Sequence, residues 1–69
     1  MEDKMTLKAA RVNANLTIIE ASKELKVTPQ TLSSWENGKT FPNVDMLPRI
    51  ENLYNIKYDR INFLNVNHG

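Results

Sequence analysis

Cysteine is absent from this 69-residue chain, which excludes both a disulfide framework and a thiolate-held zinc. Histidine occurs once, as His68 beside the C-terminus, far from anything that could act with it. Only two glycines are present, so a Gly-rich phosphate loop is not available. No nucleophile–base pair and no metal-ligand cluster is in prospect, so neither an enzyme nor a cofactor or small-molecule ligand is expected. No apolar run approaches the roughly 20 residues of a membrane span. The opening Met1-Glu2-Asp3-Lys4 lacks the pattern of a signal peptide. A cytoplasmic protein with no membrane partner is the expectation. An excess of one charge is missing too: nine Lys+Arg against eight Asp+Glu leave +1, which is no polycationic arm.

What remains is ordinary globular material, 41% hydrophobic and 25% charged. A chain this short buries about 60% of its unfolded surface, so it forms one small domain of modest stability. That domain is expected over residues 1–69, with a short tail at 65–69. Leu7, Ala10 and Ala14 recur at helical spacing, and Asn15 tolerates the left-handed backbone of a helix end. Thr17-Ile18-Ile19-Glu20 fits a capping box that opens a second helix, with Ala21, Ser22 and Leu25 on its inner side. Ile18 and Ile19 are adjacent and cannot both face inward, so one is expected outside. Thr28-Pro29 starts a third helix with a capping hydroxyl and a proline where the missing N–H costs nothing. It runs to about Glu36 and ends at Asn37-Gly38. A fourth helix carries Leu47, Ile50, Leu53 and Tyr54 on one face. Asp45 is the preferred cap, because it places Pro48 in the first turn. Asn55 closes it, and Tyr58 to Leu64 are expected to form a short fifth helix. No strand is expected: the fold class is all-α.

The second and third helices are joined by only Lys26-Val27-Thr28, so they must cross steeply, as in a helix-turn-helix. Leu32 and Trp35 face inward from the third helix. Its leading end leaves short or planar hydrogen-bonding side chains outside, suited to a major groove about 12 Å wide. The run from Thr17 to Lys39 resembles the helix-turn-helix of the phage Cro and repressor family, also called XRE-type. Trp35-Glu36-Asn37-Gly38-Lys39 with Phe41-Pro42 is its most telling part. The resemblance covers about residues 5–64, with the helix-turn-helix over about 17–37. It implies a compact, five-helix, lambda-repressor-like domain that binds a double-stranded DNA operator sequence-specifically and regulates transcription, reading the major groove with the helix 29–37.

Carried over by position, the resemblance implies base contacts by Pro29, Gln30, Thr31 and Ser34. It implies phosphate contacts by Thr17, Asn37, Lys39 and Thr40, and a structural ion pair between Arg11 and Glu36. Gln30 suits paired hydrogen bonds to adenine N6 and N7. Lys26 stands where the turn usually has glycine, implying a strained backbone or a slightly different turn. Ile18 stands where a phosphate-binding glutamine is usual. Family members commonly pair on two-fold operators, and a homodimer on DNA is expected through Tyr58, Phe63 and Leu64. The rival reading is a protein-interaction module on the same fold, an antitoxin or antirepressor-like partner with little DNA binding of its own. Near-neutral charge and an exposed isoleucine would suit it.

Overall fold

The computed structural model describes residues 4–63. Four α-helices and two very short strands follow in the order β1 (Met5–Thr6), α1 (Leu7–Asn13), α2 (Ile18–Leu25), α3 (Pro29–Glu36), α4 (Leu47–Tyr54) and β2 (Ile61–Asn62). Caps fix the starts of the first three helices. Thr6 accepts the Ala9 amide at 3.0 Å to open α1. At α2 the capping box is complete: the Glu20 amide donates to Thr17 Oγ1 at 3.1 Å, and the Thr17 amide donates to Glu20 Oε1 at 2.9 Å. Thr28 caps α3, with Pro29 at its first position.

The four helices end alike. After α1, α2, α3 and α4 the chain turns through a left-handed residue, Asn15 (φ 63°), Lys26 (φ 62°), Gly38 (φ 75°) and Asn55 (φ 55°). Each time the next amide reaches back five residues: Leu16 to Arg11, Val27 to Ser22, Lys39 to Ser34 and Ile56 to Glu51. This is the Schellman closure, which satisfies carbonyls the helix leaves orphaned. Leu16, Val27 and Ile56 pack against the core at those points, whereas Lys39 is exposed. The open question at Lys26 resolves as a left-handed backbone in the ordinary turn, held by a residue whose Cβ disfavours it.

One core joins the elements. Leu7, Ala10, Ala21, Leu25, Leu32, Trp35, Ile50, Tyr54 and Ile61 are buried. Ala21 and Ser22 are buried on the inner face of α2, where small residues allow α3 to approach. The buried Ser22 hydroxyl is satisfied by the Ile19 carbonyl at 3.0 Å. Of the isoleucine pair, Ile18 packs on the core and Ile19 is 62% exposed.

Two expectations need correction. The chain is not all-α with five helices: Tyr58–Arg60 is one 3-10 turn, and it leads into β2. β2 pairs in parallel with β1, Met5 opposite Ile61 and Thr6 opposite Asn62. Ile61 is buried, Asn62 exposed and Phe63 half-buried, an alternation with the period of a strand and not of a helix. Leu64 and the tail at 65–69 lie outside the described residues. Nor does Asp45 cap the fourth helix. Asn43 precedes a 3-10 turn, Val44–Met46, that contains Asp45 and runs directly into α4, with Pro48 in the first turn as expected. Among the described residues, no helix is long and apolar enough to cross a membrane.

Candidate nucleic-acid interface

α3 is held from behind and open in front. Leu32, Trp35 and Glu36 are buried, while Pro29, Gln30 and Asn37 are exposed and Thr31, Ser33 and Ser34 are partly so. Gln30 is thus fully outside, with an amide able to both donate and accept. At the leading end, the Thr31 amide donates to Thr28 Oγ1 at 3.1 Å, and the two threonine hydroxyls lie 2.9 Å apart in a hydrogen bond of their own. At the trailing end, Asn37 Nδ2 makes a long contact of 3.4 Å to Ser33 Oγ. The amides of Lys39 and Thr40 both reach the Ser34 carbonyl, at 3.0 and 3.4 Å. That folds the loop back against the end of α3, with Lys39 and Thr40 both exposed.

Thr17 stands differently. Its amide is already taken by Glu20, whose carboxylate occupies the N-terminus of α2. Any phosphate approaching there meets a negative charge in the place where the helix dipole would otherwise favour it.

Behind α3 lies a buried polar group. Arg11 and Glu36 are each only 7% exposed. Arg11 Nε donates to Glu36 Oε2 at 2.7 Å, Nη2 to Glu36 Oε1 at 3.3 Å, and Nη1 to the Leu16 carbonyl at 2.8 Å. One guanidinium therefore ties α1, the α1–α2 link just before the Thr17 cap and the end of α3, with the two-pronged geometry that suits arginine. Tyr54 of α4 lies within electrostatic reach of this group. Its hydroxyl is buried and has no hydrogen-bond partner among the described residues. Burial, reinforced by the Glu36 charge and partly offset by Arg11, pushes its phenol up to about 12. The inward face of α4 was legible in the sequence; that Tyr54 lies within reach of the ion pair's charges was not, since nothing local links residue 54 to residues 11 and 36. The Thr28–Thr31 hydroxyl contact was likewise missed, although a threonine cap with threonine three residues on is a readable signal.

Of the residues expected in a dimer contact, Tyr58 and Phe63 are described and Leu64 lies outside the described residues. Tyr58 is half-exposed in its 3-10 turn, with its amide held by Glu51 Oε2 at 2.8 Å. Phe63 is half-buried against the core.

Comparison with known proteins places these features in a family. The model of a family described as helix-turn-helix matches residues 7–61. The chain is 31% identical over 61 residues to an HTH-type transcriptional activator, BcrR, of Enterococcus faecalis, a match covering 88% of this chain and 30% of that protein. It is 38% identical over 53 residues to an HTH-type transcriptional regulator, ImmR, of Bacillus subtilis (strain 168), covering 77% of this chain and 42% of the relative. The chain thus spans less than half the length of either relative.

Proposed function

The chain belongs to the helix-turn-helix family, and from that premise we propose that it is a DNA-binding transcriptional regulator of the phage Cro and repressor kind, reading a duplex operator through the major groove with α3. The observation that carries this reading is the two-sidedness of α3. A buried ion pair fixes its rear, while its front offers Gln30, Ser34 and their neighbours at a width the major groove accepts. Gln30 reads adenine through N6 and N7, and Ser34, Thr31 and Pro29 meet adjoining base edges. Lys39, Asn37 and Thr40 hold backbone phosphates at the trailing end; at α2 Thr17 has only its hydroxyl proton to offer, beside the Glu20 carboxylate, and is the weakest of the four contacts. The relatives are named as transcriptional regulators, which supports the same reading.

Net charge of +1 and an α3 without Lys or Arg leave little general attraction to phosphate, so one copy binds weakly. Two copies on a two-fold operator double the contacts, and a homodimer formed on DNA follows. The protein acts in the cytoplasm as a binding protein and not as an enzyme. Titrating isotopically labelled protein with duplex DNA tests this. Chemical-shift changes centred on Gln30, Ser34 and Lys39 and fading with salt are expected. A titration with no change at low salt would return the protein-interaction reading.

A further inference from the structure

We infer that Thr28, beyond capping α3, sets which bases Thr31 accepts, and that the pair of hydroxyls makes this one position of the reading helix tolerant. The inference rests on α3 being the helix that reads DNA. Thr28 Oγ1 already accepts the Thr31 amide at 3.1 Å and shares a hydrogen bond with Thr31 Oγ1 at 2.9 Å. Two hydroxyls carry two protons, and one of these lies between the oxygens. If Thr31 donates it, both lone pairs of Thr28 are occupied. Thr31 then faces outward with lone pairs only, an acceptor for the amino groups of adenine or cytosine. If Thr28 donates it, the proton of Thr31 is released outward, a donor for thymine O4, for guanine O6 and N7, or for adenine N7. Rotating two C–O bonds exchanges the arrangements without moving the backbone or breaking the cap. Thr31 therefore presents whichever partner the base edge requires.

A cap that cannot donate from its capping atom removes this choice. In Thr28→Asn the capping carbonyl accepts the Thr31 amide and can only accept from the Thr31 hydroxyl, so while that contact is made Thr31 faces outward as an acceptor. Asparagine caps at least as well as threonine, so α3 keeps its start. Thr31→Val removes the hydroxyl at nearly constant shape. Selection of bound fragments from random duplexes, run in parallel with the three proteins, separates the outcomes. Wild type is expected to accept amino-bearing and carbonyl-bearing bases alike at the base pair under Thr31. Thr28→Asn should enrich adenine or cytosine there by about three- to tenfold, the worth of one neutral hydrogen bond. Thr31→Val should show no preference there and bind about three- to tenfold more weakly, with other positions unchanged. A Thr28→Asn profile equal to that of wild type, or a wild type already selective at that pair, overturns the inference. Failure of all three proteins to enrich any sequence overturns instead the reading of α3 as the DNA-reading helix.

Discussion

Gln30 and Lys39 sit at opposite ends of α3 and differ in what their loss should do. Gln30 presents a planar amide whose two hydrogen bonds fit one base; Lys39 presents a point charge that fits any phosphate. Gln30→Ala should cost about 1–3 kcal/mol on the selected site and relax preference at one base pair. Lys39→Ala should weaken binding to all sequences alike and lower the salt slope by about one. Equilibrium binding at several salt concentrations distinguishes the two, and a Gln30→Ala protein that binds selected and scrambled duplexes as wild type does would remove α3 as the reader. Tyr54 offers a test of a different kind. Its phenol, raised from 10.0 to about 12 in the fold, keeps its proton in both states below pH 10. Between pH 10 and 12 the unfolded chain ionises first, so stability falls as pH rises. Tyr54→Phe should abolish that part of the alkaline loss, on the order of 2 kcal/mol by pH 12. It should leave neutral stability nearly unchanged, since the hydroxyl has no partner to lose. Urea melts of both proteins at pH 7 and 11.5 check this, and equal alkaline losses in the two would contradict it.

α3 is an eight-residue helix, too short to hold its shape unaided. Thr28 and Pro29 secure one end and Glu36 the other. Removing one partner of a buried pair leaves a charge stranded, at about 3–5 kcal/mol, a large part of a small domain's stability. Arg11→Ala and Glu36→Ala should each show this in urea melts; losses under about 0.5 kcal/mol in both would mean the pair does not hold the helix. The end of α1, the start of α2 and both ends of α3 were legible in the sequence because their signals are local: hydroxyl caps, a proline, an asparagine or glycine at the turn. The segment after Tyr58 was not. It carries no cap and no breaker, and its apolar residues fit either period over so short a run. Ile61 is extended because Met5 lies opposite it, a partner 56 positions earlier that no local pattern reveals. The start of α4 failed for a related reason: Asn43 and Asp45 are both good caps by type, and the 3-10 turn uses neither side chain to cap it as expected. The resemblance supplied candidate positions for the site, and which of them touch DNA is the proposal above. The hydrogen bond between Thr28 and Thr31, and the burial of the Tyr54 hydroxyl within reach of the Glu36 and Arg11 charges, needed coordinates.

At the scale of the molecule, one reading helix covers too few base pairs to single out an operator among a genome's competing sites. Pairing should bring two copies of α3 about one DNA turn apart, roughly 34 Å, on a pseudo-palindrome. Footprinting should show two half-sites filled together, with Phe63→Asp reducing that cooperativity; protection of a single half-site, unaffected by the substitution, would contradict the dimer. The four five-residue closures at the helix ends bear on another property, the speed with which the chain finds its shape. Each closure links residues that are already neighbours in sequence, so little loop entropy is lost in making it. The β1–β2 pairing and the packing of Ile61 in the core with Leu7 and Ala10 join the two ends of the described chain. Folding should accordingly be fast, with a main relaxation in the microsecond-to-millisecond range usual for helical domains rich in local contacts. Temperature-jump relaxation near the unfolding midpoint can measure it, and a main phase of seconds would mean that the joining of β1 to β2, and not the turning of the helices, limits the search.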